Sequence, residues 1–425
     1  MVGADSIRPD LIAIVDEGPM PPPQDESSAD DVLRYISGAG SALICASAPS
    51  STVGPGLEDL ARGYGVEVKV VAQPETVLAV DERTGRSSLA RAHTGSFRFD
   101  QTERLFDMIT SSRTGSLSPE QGLNGLRDIE LMPPTVPAVW RFVGYWLIAV
   151  GLCLLQNPRV AELAITAAFA LPIAALVMAM PKLRGFDPFA PGVVAFLVGL
   201  PVSLLVQVGW LAEPAHVVVP LLSSFLPGML LAVGSLELIH GALQAGASRL
   251  MGGIFQLILL AFGLIASQAA FTLSIPTDVV SHATHLGSWS PLVGVGVYVV
   301  GIWLAFCAPR RAAPALAIVI FVGWGIQQLT DAIVGPYAST FLGAAVAVVV
   351  VQAIHTRSGP PPLLTLNPLF RILTPGGLGL LRVTSLTSGN FVGADLGVVV
   401  FTLISVAMGL AAGMAIAERF GLRDA

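Results

Sequence analysis

The sequence predicts a mainly α, polytopic membrane protein: ten transmembrane helices as two inverted five-helix repeats, preceded by a small cytoplasmic α+β domain. Three observations carry that prediction. Of the 425 residues, 53% are apolar and 12% charged, against about 25% charged in an ordinary soluble domain. The charge is also segregated. Residues 1–134 hold 11 Lys/Arg against 20 Asp/Glu, and the remainder 12 against 9, so an acidic soluble part joins a sparsely charged, weakly basic apolar part. Finally, one pattern of helix-breaking residues occurs twice within long apolar runs.

Residues 1–29, containing "PMPPPQDESSADD", lack the basic start and apolar core of a signal peptide and are expected to be a disordered acidic leader. The α+β domain is expected over residues 30–134. Residues 30–50 show helical spacing of apolar positions, and "GLEDLARGYG" ends a second helix at Gly63 or Gly65. "VEVKVVA" alternates with the period of a strand, and "TVLAVDERTGRSSLARA" reads as two strands around a turn at Arg83–Gly85. Two helices follow, the second capped by Ser116 or Ser118 ahead of "PEQGLNGLRDI". His93 is the only histidine here, and no nucleophile–base pair or phosphate loop is visible, so regulation or scaffolding suits the domain better than hydrolysis. Cys45, Cys153 and Cys307 each stand alone in apolar sequence and are expected to be buried thiols, not a disulfide framework or a zinc site.

A bilayer core takes about 20 mostly apolar residues per helix. Ten such runs follow, at 139–156, 160–181, 190–211, 216–239, 251–274, 290–307, 313–333, 336–355, 362–383 and 392–416. Residues 135–275 then form the first repeat and 286–418 the second. The odd-numbered connections carry only Arg159 as a cation. The even-numbered ones and the flanks carry Arg127, Lys182, Arg184, Arg249, Arg310, Arg311, Arg357, Arg419 and Arg423. By the positive-inside rule both termini lie in the cytoplasm.

The repeat is visible when "PLLSSFLPGMLLAVGSLELIHG" (220–241) is set against "PLFRILTPGGLGLLRVTSLTSG" (368–389). Pro220, Pro227, Gly228 and Gly241 match Pro368, Pro375, Gly376 and Gly389 at one offset, 148. In the third and eighth spans Pro191, Phe196, Leu197 and Gln207 match Pro336, Phe341, Leu342 and Gln352 at offset 145. Five spans per half is odd, so the second half must run inverted. Inverted repeats with helices interrupted by Pro and Gly at corresponding positions point to a secondary transporter with its site near the bilayer midplane. The physical reason is that proline has no N–H to donate and crowds the preceding turn, freeing carbonyls near residues 223–224 and 371–372. An orphaned carbonyl survives at that depth only where protein or a watery cavity covers it.

The substrate-binding residues expected on this reading are Pro227, Gly228, Pro375, Gly376, Arg371, Gln207 and Gln352. Arg371, one turn before Pro375, suits a substrate carboxylate or a buried acidic partner, unless the ninth helix starts later and leaves it at the cytoplasmic edge. Gln207 and Gln352 gain interest from their repeat equivalence, though they suit hydrogen bonds between helices better. Asp331 and Asp395, at helix ends near the outer face, are candidates for proton coupling, since burial raises a carboxyl pKa; the alternative is plain solvation. Glu237, closing the fourth span, is either a third such carboxylate or surface charge. His282 and His285 have a spacing that suits a metal, but two ligands in an outer loop favour a solvated loop, and no metal is expected.

The chain resembles the bacterial threonine/serine exporter family. The resemblance is carried by "SGAGSALICASAPSSTVGPGLEDLARGYGVEVKVVAQPETVLAV" and "LSPEQGLNGLRDIELMPPTVP" in the soluble part. In the membrane part it is carried by "FLPGMLLAVGSLELIHGALQAGASRLMGGIFQ" and "LTPGGLGLLRVTSLTSG". It implies export of threonine and serine across the bacterial cytoplasmic membrane, driven by the proton-motive force. Arg371 and Arg382 depart from the family's pattern and leave the substrate open. The expected partners are a small amino acid, the lipid bilayer and protons, with a homo-oligomer left open; neither nucleic acid nor a cofactor is expected. The alternatives are a membrane-anchored sensor acting through its soluble domain, or an exporter of a different small metabolite. A fluorescent protein fused after Ala425 should fluoresce and alkaline phosphatase fused there should stay inactive; the reverse would place that terminus outside.

Overall fold

A computed structural model describes residues 26–92, 97–183, 188–211, 213–269, 285–356, 360–373 and 394–421. Its soluble unit is built from α1 (Glu26–Cys45), α2 (Ser50–Gly63), β1 (Val68–Ala72), β2 (Thr76–Asp81), β3 (Ser87–Arg91), α3 (Phe99–Arg113) and α4 (Pro119–Leu131). The strands form one antiparallel sheet in the order β1-β2-β3, with Val70 opposite Ala79 and Leu78 opposite Leu89. Gly85, with φ of 71°, makes the turn between β2 and β3. Ser118 caps α4, its hydroxyl accepting from the Gln121 N–H while the Gln121 side chain accepts from the Ser118 N–H. Tyr35 is fully buried and its hydroxyl lies 2.6 Å from Ser112 Oγ; burial pushes the phenol up to about 12.

The membrane part comprises α5 (Ala138–Leu155), α6 (Val160–Ala179), α7 (Ala190–Gln207), α8 (Ala215–Leu222), α9 (Gly228–Ile239), α10 (Leu243–Ala269), α11 (Ser290–Ala305), α12 (Ala313–His355), α13 (Pro362–Leu373) and α14 (Ala394–Arg419). By length and apolarity α5, α6, α7, α10 and α12 can each cross a bilayer, and the bent pair α8–α9 adds a sixth. The expected ten is not reached among the described residues. Of the four others, α11 has 16 residues and α12 carries two expected spans in one 43-residue run, while the expected continuation of α13 and the start of the expected tenth span lie outside the described residues.

That run is folded back on itself. Gly335, with φ of 79°, and Pro336 break it, and beyond them the chain returns along its own first limb. Gln327 Nε2 donates to Thr340 Oγ1 at 2.9 Å, Ser339 Oγ donates to Asp331 at 3.1 Å, and Gly323 lies against Ala347.

Glycines set the closest helix approaches. α5 and α11 cross antiparallel, Gly144 against Gly301 and Gly151 against Gly294, with each glycine meeting the backbone of the other helix. Gly144 and Gly294 are 150 residues apart, as are Gly151 and Gly301, so the contact is reciprocal between matching positions. α7 and α10 run parallel through Gly192 and Gly263, as do the second limb of α12 and α14 through Phe341 and Gly409.

Among the described residues the soluble unit is tied to these helices chiefly on two sides, with Gln73 also donating to Gln244 of α10 at 3.4 Å. The Phe99 N–H donates to the Phe306 carbonyl at 3.0 Å, their rings stack at 5.3 Å, and Arg311 binds Glu103 and Asp107. On the other side, Ala48 and Ser50 meet Arg249 and Glu237.

A side chain at residue 151 would put its Cβ 2.6 Å from the Tyr298 nitrogen, whereas one at residue 252 meets nothing within 4 Å. Gly151→Leu should therefore cost at least the ~1–3 kcal/mol typical of overpacking, and Gly252→Ala should cost nothing measurable. Thermal unfolding in detergent compares the two.

Candidate functional site

The site is a broken helix, and the break follows from local sequence. α8 leads into a short 3-10 turn at Ser223–Phe225. Leu226 is extended (φ −76°, ψ 130°), Pro227 follows at φ −81° and ψ 37°, and Gly228 opens α9. The two limbs differ in direction by 66°. Pro227 stands midway between Ala215 and Ile239, about 18 Å along the chain from either end at 1.5 Å per residue.

Proline at 227 cannot supply the N–H that Ser223 would receive in a continuous helix. The Ser223 carbonyl instead has the Leu226 N–H at 3.4 Å and Arg371 Nη1 at 3.4 Å. The Phe225 carbonyl accepts from Gln256 Nε2 of α10 at 2.8 Å. Side chains from two other helices thus answer the carbonyls that the break exposes.

Arg371 sits in the last turn of α13, half-buried, with its guanidinium 5.2 Å from the centre of the Phe306 ring. α13 begins at Pro362, where the sequence places the start of the ninth span. Among the described residues its partners are a carbonyl and an aromatic ring, with no acidic partner. Ser223 and Arg371 are 148 residues apart, the offset of the sequence repeat. Tyr298, fully buried, donates its hydroxyl to the Pro368 carbonyl at 2.8 Å and fixes the start of the same turn.

The remaining predicted residues are scattered. Pro375 and Gly376 lie outside the described residues, as does His282. Asp395 is in the first turn of α14, with its side chain outside them too. Gln207 closes α7, and Gln352 is buried in the last turn of α12. Asp331 is exposed beside the Gly335 fold-back.

Glu237 corrects an expectation. It is not surface charge but fully buried, paired with Arg249 Nε at 3.1 Å. Its other oxygen accepts from the Ser50 N–H at 2.7 Å, and Arg249 Nη2 donates to the Ala48 carbonyl at 3.3 Å. The soluble unit covers this pair and removes it from water.

Residues 34–271 match the family model described as "Putative threonine/serine exporter". The chain belongs to that family. The match runs from α1 through α10 and so takes in the soluble unit and the broken helix. No curated protein and no solved structure matches the chain. Membership and the apolar helices together make it a multi-pass membrane protein of a transporter family, with a small molecule as its substrate.

The sequence singles out His285 beside His282 but not its neighbours in a second cluster at the helix ends away from the soluble unit: Glu162, Glu213 and His216. Their common signal was membership of odd-numbered connections and adjoining helix starts, all assigned to one face.

Removing Arg249 leaves a buried, unpaired carboxylate, so Arg249→Ala should destabilise by about 3–5 kcal/mol. Arg311→Ala removes a pairing that is 59% exposed on the arginine side and should cost about 1 kcal/mol or less. Melting curves of the two variants in one detergent give the comparison.

Proposed function

We propose that this chain is a secondary exporter of small hydroxy amino acids, threonine and serine, acting across the bacterial cytoplasmic membrane by alternating access with proton coupling. The observation that carries the reading is the tie between the two halves at the break: Arg371 of the second reaches the carbonyl that Pro227 frees in the first. An α-amino acid carries one acceptor and one donor at neighbouring positions. Its carboxylate replaces Ser223 as the partner of Arg371, and its ammonium takes up the released Ser223 carbonyl. Neither group is then left unpaired at depth, which is the condition for binding a zwitterion in an apolar surround. The choice of threonine and serine rests on the family's description.

The proposal includes ten spans in two inverted halves, with both termini in the cytoplasm. The fold-back of α12 supports counting it twice. The reciprocal crossing of Gly144 with Gly301 and Gly151 with Gly294 is the self-complementary contact that a two-fold axis generates. Because α5 and α11 cross antiparallel, such an axis lies in the membrane plane. The matching parallel pairs, α7 with α10 and the second limb of α12 with α14, support the same reading. Asp331 and Asp395 are the proposed coupling carboxylates. Glu237 is left out of that role because Arg249 holds it in an ion pair.

Membrane vesicles loaded with labelled threonine should lose it faster than vesicles lacking the protein, and a protonophore should abolish the difference. Pro227→Leu should reduce the rate at least tenfold while the protein remains in the membrane. Efflux equal to that of empty vesicles for a panel of small amino acids would reject the exporter. A harmless Pro227→Leu would favour a sensor acting through the soluble unit.

A further inference from the structure

At the helix ends opposite the soluble unit, three separate connections converge. Asn157 and Arg159 come from the turn between α5 and α6, Glu213 and His216 from the start of α8, and His285 from the segment before α11. The His285 segment is pinned to the turn. Arg159 and His285 form a bridge, the Leu286 N–H donates to the Pro158 carbonyl at 3.1 Å, and the Gly287 N–H donates to Asn157 Oδ1 at 2.9 Å.

The two histidines are oriented alike. His216 Nδ1 lies 2.8 Å from Glu162 Oε2, and His285 Nδ1 lies 2.8 Å from the Asn157 carbonyl. An ionised carboxylate and a backbone carbonyl can only accept, so each Nδ1 must carry the hydrogen. A neutral imidazole then has its lone pair on Nε2. Both Nε2 atoms face one carboxylate: His216 Nε2 is 3.4 Å from Glu213 Oε2, and His285 Nε2 is 3.7 Å from Glu213 Oε1. These are acceptors turned towards acceptors, an arrangement that needs a positive charge between them.

From this geometry we propose that His216, His285 and Glu213 form a binding site for a first-row divalent cation, of which Zn²⁺ is the representative. Two Nε2 atoms and a carboxylate oxygen are a borderline donor set of the kind zinc takes. The ligand atoms of Glu162, Glu213 and His216 lie within 4.8 Å of one another, and the His285 Nε2, 3.7 Å from Glu213 Oε1, must swing inward to reach the ~3.3 Å that separates ligands on a tetrahedral metal. Glu162 is the outer partner of His216. A buried carboxylate on the far ring nitrogen of a metal-binding histidine fixes its tautomer and raises its basicity.

Glu162 Oε1 is buried without a hydrogen-bond partner, which leaves negative potential at the base of the site. Among the described residues Arg159 is the cation paired with the cluster, its Nη2 3.4 Å from Glu213 Oε1 and its Nη1 3.8 Å from Glu162 Oε1. One arginine against two carboxylates leaves a net negative site while the histidines are neutral. A bound ion would clamp the turn before α6 to the starts of α8 and α11, joining helices from both sides of the proposed repeat. The site does not depend on what the protein transports.

The test is Zn²⁺ binding by the full-length protein in detergent, followed with a competing chromophoric chelator and by thermal unfolding. The wild type should bind one ion per chain and melt higher with it. His285→Ala, at a side chain 42% exposed, should weaken binding at least tenfold without lowering the metal-free melting temperature. Glu162→Gln should weaken it roughly 10–100-fold, as loss of an outer carboxylate does. Stoichiometric binding unchanged by His285→Ala and by Glu213→Gln would overturn the proposal, and so would a wild type that binds no ion. A rise in melting temperature on acidification without any response to Zn²⁺ would assign the positive charge to imidazolium protons and equally overturn it.

Discussion

A backbone carbonyl at bilayer depth cannot be left facing hydrocarbon, and much of this structure follows from that constraint. Pro227 removes the donor for Ser223, so something outside the helix must replace it. Arg371 of α13 does so for Ser223, and Gln256 of α10 answers the neighbouring Phe225 carbonyl. The break therefore dictates which helices stand beside it. It also leaves a polar point in the apolar interior whose hydrogen bonds a small zwitterion can take over. A continuous helix would need none of these neighbours and would offer nothing to a solute.

Around that point the fold uses small residues for close approach and polar residues for anchoring. In lipid, helices gain little from burying apolar surface against one another, so contact area and backbone proximity matter most. Gly144, Gly151, Gly294 and Gly301 give α5 and α11 that proximity. The soluble unit is held differently. A buried ion pair, Glu237 with Arg249, is completed by backbone groups of Ala48 and Ser50, while an exposed cluster at Arg311 adds little. A buried pair tolerates no loss of a partner, so the first contact fixes the register of the unit on the helices.

The parts of this arrangement legible in the sequence were those set by local chemistry. Proline at 227 announces a freed carbonyl wherever it stands in a helix, and the offset of 148 between Ser223 and Arg371 was on the page before any contact was. Gly335 with Pro336 marked the fold-back of α12 for the same local reason. What was not legible depends on how elements meet. Glu237 looks like any helix-end acid until the α1–α2 connection is seen to cover it. Gln256 reads as one polar residue in an apolar helix until α10 is rotated towards Phe225. His285 suggested a loop histidine because Glu213 and His216 lie some 70 residues earlier in the chain. The counterpart break at Pro375 and Gly376 is outside the described residues and stands on the sequence alone.

The central claim is that the Ser223 carbonyl and Arg371 hold the solute between them. Threonine-dependent stabilisation of purified protein measures it most directly, since a ligand bound only to the folded state raises the melting temperature by mass action. The account predicts a rise with threonine in the wild type and none in a folded Arg371→Ala variant at the same concentration. An equal rise in both would contradict it.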